Sequence, residues 1–164
     1  MKESGKYRVL FICLGNICRS PAAQAVMQRL VDERGLTDRF FIDSAGIGGW
    51  HIGDLPDKRM RVHARPRGYE LTHRARRVQG RDFEDFDLIV GMDDANVDDL
   101  CSMAATIEQK DKVVMMGDYI RQYPDYDHVP DPYYEGSEGF ELVLDLLEDA
   151  CENLLDRIIE QNNI

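Results

Sequence analysis

Apolar positions open the chain as one unbroken block and then spread into periodic patterns. Val9-Leu10-Phe11-Ile12-Cys13-Leu14 has no polar interruption, and with Tyr7 ahead of it the run predicts a buried strand over Tyr7 to Ile12. After a polar gap, Ala22, Ala25, Val26, Leu30 and Val31 recur at helical spacing. Ser20 and Pro21 predict the start of that helix: serine suits the N-cap, and proline suits the first helical position, where its missing N–H costs nothing. Gly35 ends it. Phe40-Phe41-Ile42 predicts a second strand that runs through Ser44-Ala45-Gly46 into a glycine-rich loop ending near Gly53. A helical stretch begins at Pro56-Asp57 and closes by Gly68. Pro66 lies inside it and removes a backbone donor, so an end or kink is expected near Ala64. Asp87 to Gly91 predicts a third strand, Asp93 to Met103 a helix and Lys112 to Met116 a fourth strand. An irregular, proline-bearing segment follows from Tyr119 to Glu135. Phe140, Val143, Leu144, Leu147, Cys151, Leu154, Leu155 and Ile158 then fall on one stripe of a last helix, which reads as core packing.

Strands alternating with helices predict an α/β fold, a three-layer doubly wound sheet of four parallel strands with helices on both faces. The 164 residues fit one domain, with Met1 to Lys6 as a short tail. The opening apolar block is too short for a membrane span or a signal peptide, so no membrane insertion and a cytoplasmic location are expected. The four cysteines, Cys13, Cys18, Cys101 and Cys151, form no CxxC pair or His/Cys cluster, so no metal site is expected. A net charge of −11 argues against a nucleic-acid partner. The charge is uneven: Lys58, Arg59, Arg61, Arg65, Arg67, Arg74, Arg76, Arg77 and Arg81 are offset in their stretch only by Glu70. Such a run is either a solvated helix face or a basic rim that gathers an anionic substrate.

Candidate chemistry sits at the end of the first strand. In doubly wound folds ligands bind beyond the carboxyl ends of the strands, and Cys13 to Arg19 lies there, just before a helix N-terminus. A compact loop in that place can turn its N–H groups toward one point, and the helix dipole adds partial positive charge. The segment is not a Walker loop, because no G-x-x-x-x-G-K-[ST] occurs in it. Cys13 at its base is placed near the helix N-terminus and Arg19, which both favour a thiolate; thiols in such settings titrate at roughly 3.5–7.5. The planar fork of Arg19 can hold two oxygens of a tetrahedral oxyanion. A nucleophile and a bidentate clamp in Cys-x5-Arg spacing suggest attack at phosphorus. Asn16 is one of the few residue types besides glycine that tolerates the left-handed backbone a tight anion loop often needs.

With the strand before it, Gly15 within it and Ser20-Pro21 after it, CLGNICRSP resembles the signature loop of the low-molecular-weight protein tyrosine phosphatases. The likeness covers nearly the whole chain. Phe41 to Gly46 through Trp50-His51 looks like that family's second-strand segment, and His73-Arg74-Ala75-Arg76 like its H-x-A-R element. Met92-Asp93 with Asn96, Asp99 and Leu100 looks like its third-strand-to-helix segment, and Asp131-Pro132-Tyr133-Tyr134 like its general-acid loop. The resemblance implies a flavodoxin-like phosphatase fold and a metal-independent protein tyrosine phosphatase, without cofactor, working through a cysteinyl-phosphate. It implies Cys13 as nucleophile, and Arg19 with the backbone of Leu14, Gly15, Asn16, Ile17 and Cys18 as the phosphate cradle. Asp131 is implied as general acid and then base, its extended backbone favoured by Pro132. Asn16 is implied to bond Ser20, Ser44 and His73 and so fix the loop, with Ser20 also able to donate to the Cys13 sulfur. Leu14, Trp50, Tyr133 and Tyr134 are implied as walls of a slot deep enough for phosphotyrosine and too deep for phosphoserine.

The implied partner is a phosphotyrosine-containing protein, with a tyrosine kinase as one candidate, and inorganic phosphate or a similar oxyanion as product or inhibitor. Cys18 is a candidate redox partner for Cys13, set against a plain packing role. Gln24 stands where many relatives carry glutamate, and on the first helix it is expected to lie away from the chemistry. Relatives that act on phosphoarginine tend to have threonine at the position of Ile17, so isoleucine points to phosphotyrosine and leaves arginine phosphatase as the nearer alternative. Thiol-dependent arsenate reductase shares the loop but needs resolving cysteines, and Cys101 and Cys151 are isolated from each other. A non-catalytic anion-binding module is the remaining alternative.

Overall fold

A computed structural model describes residues 5–133 and 136–164. Strand β1 (Tyr7–Cys13) lies inside a four-stranded parallel sheet, between β2 (Phe40–Gly46) and β3 (Leu88–Gly91), with β4 (Val113–Met115) outside β3; the order is β2-β1-β3-β4. Burial on both faces explains why β1 reads as an unbroken apolar run. Val9, Phe11 and Cys13 enter one core, packed by α1 (Arg19–Glu33) and α6 (Ser137–Asn162). Leu10 and Ile12 enter the other, with Phe83, Phe86, Ile89 and Leu100. Leu100 is carried by α4 (Asp94–Met103), and Phe83 by the single-turn α3 (Asp82–Asp85). The sheet is therefore doubly wound, with helices on both faces. The chain leaves β1 toward β2 on one side and later returns to β3 on the other, which makes the carboxyl end of β1 the topological switch point. No helix among the described residues is long and apolar enough to cross a membrane.

The helix α2 (Lys58–Ala64) ends where Pro66 predicts, passing into a 3-10 turn over Arg65–Arg67 and a left-handed Gly68. The start of α1 differs from expectation. Cys18 is its N-cap, with no side-chain cap bond, so Ser20 and Pro21 are the second and third helical residues. Proline is tolerated there because first-turn N–H groups have no intrahelical acceptor, and the Ser20 hydroxyl is committed to the preceding loop. Four short pieces have no counterpart in the periodicity: α3, α5 (Ile107–Asp111) and the 3-10 turns Thr37–Arg39 and Met116–Tyr119.

The basic run stays mostly on the surface, but several of its members are tied to the fold. Arg67 pairs with Glu141, Asp145 and Glu148 of α6 at 2.6, 2.9 and 2.8 Å, tying the end of α2 to that helix. Arg61, Arg74 and Arg77 donate to the carbonyls of Pro56, Gly53 and Ile47. These four arginines brace loops and a helix, while Lys58, Arg59, Arg65 and Arg81 are exposed, as a solvated face requires.

Candidate active site

The segment after β1 is built by outward bonding of its carbonyls. Cys13, Leu14, Ile17 and Cys18 accept from the amides of Ile47, Gly48, Asp57 and Ala22 at 3.0, 2.9, 2.6 and 3.3 Å. In these loop contacts the carbonyls of the segment are the acceptors, and none is donated by an amide from Leu14 to Cys18. Asn16 takes the left-handed conformation, φ 58°. Gly46 lies directly behind it: a Cβ there would stand 3.0 Å from the Asn16 nitrogen.

Asn16 is fully buried, and every capacity of its amide is used. Nδ2 donates to Ser20 Oγ at 2.8 Å and to Ser44 Oγ at 3.0 Å; Oδ1 accepts from His73 Nε2 and from the Arg76 backbone, each at 3.0 Å. Ser44 in turn donates to Gln24 Oε1 at 2.6 Å. Ser20 Oγ has accepted from Asn16, so its own hydrogen is left for the Cys13 Sγ at 3.0 Å, the carbonyl of Ala45 being farther at 3.5 Å. The structure thus brings Asn16, Ser20, Ser44 and His73 together behind the loop, with the hydroxyl at the end of the chain turned to the sulfur. Gln24 corrects the sequence reading: far from lying away from the site, it closes this network.

Burial drives the His73 pKa below its ordinary value, with Asp43 acting upward and Arg76 downward. The ring is therefore neutral at pH 7 and donates its Nε2 hydrogen to Asn16. Below about pH 6.5 the unfolded chain takes up a proton on His73 that the folded chain resists. Stability supplied by this group is full above that pH and is lost as the pH falls through the folded-state value. In an NMR titration the His73 ring is expected to show a midpoint below 6.5; a midpoint above it would mean that Asp43 outweighs burial.

Arg19 opens α1 with a side chain only 3% exposed. Its Nη1 donates to Asp93 Oδ2 at 2.7 Å and to the carbonyl of Val129 at 3.0 Å, and Nη2 stands 3.7 Å from Asp131 Oδ2. Burial opposes its charge, but Cys13, the Asp93 bond and Asp131 outweigh burial, and the pKa lies above its ordinary value. Asp93 also caps α4, its Oδ1 accepting from the Asn96 amide at 2.8 Å. One carboxylate at the end of β3 thereby fixes the guanidinium at the end of β1. The sequence reading placed Asp93 in a segment that resembles the family's but gave it no role.

Above the loop lies a cleft of about 300 Å³. Cys13, Leu14, Gly15, Ile17, Cys18 and Arg19 line it from within the loop segment, Trp50, His51 and Tyr133 from around it, and Asp131 reaches it from the far loop. Trp50 is 71% exposed, Leu14 43% and Tyr133 38%, so apolar surface is held open to solvent. His51, which the sequence reading left without a function, packs on Gly15, where an added Cβ would come within 3.1 Å of its ring. Asn16 supports the loop from behind and does not line the cleft. Tyr134 lies outside the described residues. Cys18 is a buried free thiol; burial first, then Cys13, Asp57 and Asp131, push its pKa up against the opposing pull of Arg19. It is protonated at neutral pH.

Taken together, these residues form a concave site at a topological switch point, with a sulfur, a fixed guanidinium and a carboxylate facing one cavity. The chain is similar to known proteins over nearly its whole length. The family model for low molecular weight phosphotyrosine protein phosphatase matches residues 8–163. The low molecular weight protein-tyrosine-phosphatase YfkJ of Bacillus subtilis is 41% identical over 157 residues, 95% of this chain and 98% of that protein. The crystal structure of a protein tyrosine phosphatase from Entamoeba histolytica with Hepes in its active site superposes with a TM-score of 0.92 at 42% identity, over 95% of this chain and 99% of that one. An arginine phosphatase from Drosophila superposes with a TM-score of 0.84 at 35% identity, over 92% and 96% of the two chains. The chain is a phosphatase and belongs to the low molecular weight phosphotyrosine protein phosphatase family.

Proposed function

We propose that this enzyme hydrolyses phosphotyrosine in proteins by way of a phosphoryl group carried on Cys13. The thiolate attacks phosphorus while the bond from phosphorus to the phenolic oxygen breaks, and Asp131 gives its proton to that oxygen. Water then attacks the cysteinyl-phosphate. The Asp131 carboxylate takes the proton of that water, the S–P bond breaks, and phosphate leaves with the thiolate restored. Arg19 and the amides from Leu14 to Arg19 hold the equatorial oxygens as charge builds. Ser20 supports the thiolate as leaving group through its hydrogen bond to the sulfur. Leu14, Trp50 and Tyr133 clasp the phenol ring.

The observation that carries this reading is the meeting of Cys13 and Arg19, from the two ends of one loop, with Asp131 of a distant loop at one cleft. A phosphoarginine substrate is the second reading, favoured by the likeness to the Drosophila arginine phosphatase and opposed by Ile17, which lines the cleft. Arsenate reduction finds little support: Cys151 is buried, burial pushes its thiol up, and its Sγ faces the carbonyl of Ala23. The test is phosphate release from matched phosphotyrosine and phosphoarginine peptides with a chelator present. Faster release from phosphotyrosine is expected. Preference for phosphoarginine would overturn the substrate assignment, and loss of activity in chelator would overturn the metal-free mechanism.

A further inference from the structure

Asp131 is carried by a segment without regular structure, since no helix or strand lies between Tyr119 and Tyr133. Its position must come from ties to the rest of the fold. One is Asp149, whose Oδ2 accepts from the amides of Arg121 and Gln122 at 2.7 and 2.9 Å. A second is Val129, whose amide donates to the Met92 carbonyl at 2.9 Å and whose carbonyl accepts from Arg19. The third is a bare packing contact. Gly117, buried in the 3-10 turn Met116–Tyr119, lies flat against the backbone of Asp127 and His128. A Cβ on Gly117 would stand 1.7 Å from the Asp127 oxygen, 2.3 Å from its carbonyl carbon and 2.8 Å from the His128 nitrogen. These are backbone atoms, so no change of rotamer relieves the overlap. The φ of Gly117 lies outside the left-handed region, so it is room, and not backbone freedom, that demands glycine here.

We infer that Gly117 is a positioning residue for Asp131, setting the height of the acid loop from behind. From Asp127 to Asp131 the chain runs through His128, Val129 and Pro130, with Pro132 next. Two prolines fix their own φ and hold the residues before them extended, so this stretch acts as a short strut. Where Gly117 lets Asp127 and His128 settle decides where the strut delivers the carboxyl group, here 3.7 Å from Arg19 Nη2. The inference rests on the reading of Asp131 as the general acid.

The test compares Gly117→Ala, Asp131→Asn and the double variant by kcat/KM on two substrates, a phosphotyrosine peptide and a phenyl phosphate with a strongly acidic phenol. The second leaving group needs little protonation. An added Cβ forces a shift of more than an ångström, and misplacement on that scale costs on the order of 10²-fold. Gly117→Ala is expected to lose about that factor on phosphotyrosine and under about tenfold on the acidic phenol. In the Asp131→Asn background it is expected to add no further loss, because both changes act through one group. Equal losses on the two substrates, or a full extra loss on top of Asp131→Asn, would overturn the inference and leave the acid assignment standing. Wild-type phosphotyrosine activity in Asp131→Asn would instead remove the acid reading, and the inference with it. If Gly117→Ala does not fold, Pro130→Gly asks the same question by loosening the strut. The same selective loss, absent without Asp131, is then expected, and an even loss or none contradicts it.

Discussion

Cys13→Ser is expected to bind phosphate and release none from substrate. Cys13 is 3% exposed and the serine hydroxyl takes the place of its sulfur, 3.0 Å from Ser20 Oγ, so the loop keeps its shape and its hydrogen bond. A hydroxyl does not ionise at neutral pH, and its neighbours do not draw its proton away in the first step: Asp131 is then the acid, Ser20 points its hydrogen at this atom, and Arg19 is a fixed cation. Loss of the nucleophile is expected to lower kcat/KM by about 10⁴-fold or more, since the remaining groups cannot form the first covalent bond. Phosphate affinity, measured by calorimetry, is expected to survive, because Arg19 and its tether to Asp93 are untouched. A Cys13→Ser protein that retains tenths of the wild-type rate would place the nucleophile elsewhere.

The second large effect is expected at Asp131→Ala. General acid–base catalysis contributes about 10²–10⁴-fold, and one carboxyl group serving both half-reactions places this loss toward the upper end for phosphotyrosine. In kcat/KM, which covers the steps up to departure of the phenol, the loss should shrink on a phosphate ester whose phenol is strongly acidic, because that group departs without a proton. The Asp131 side chain is 42% exposed and makes one short hydrogen bond, accepting from the Tyr133 amide at 3.0 Å. Folding stability should therefore change by no more than about 0.5 kcal/mol. Thermal unfolding beside the two-substrate kinetics checks both halves. A uniform loss of kcat/KM across substrates would show that Asp131 shapes the site instead of delivering a proton.

The sheet was legible because its physics is local: a parallel strand buried on both faces leaves an unbroken apolar run, and β1 did. Periodicity likewise exposed α1, α4 and α6. What stayed hidden depends on packing. Arg19 and Asp93 are 74 residues apart and meet only because β1 and β3 are neighbours, and strand order is not written in the strands themselves. Gln24 is visibly helical, but which side of α1 faces Ser44 follows from how that helix docks. Ser20 has the right residue type for an N-cap, yet the loop takes its hydroxyl and the helix begins two residues earlier than that cap implies, at Arg19. Asn16 was readable at two levels, its left-handed backbone from residue type and its partners only through the family likeness. Gly117 looks like any loop glycine in sequence; its meaning lies in Asp127, which packs on it.

The most direct test of the account is to trap the phosphoryl group. Asp131→Ala turning over an acidic-phenol phosphate should pass the first step and stall at the second, because the water then lacks its base. Acid quenching within the first turnovers, followed by peptide mass analysis, is expected to show one phosphoryl group on the peptide that contains Cys13. Phosphate found on another residue, or continued turnover with no labelled peptide, would contradict Cys13 as the group that carries it.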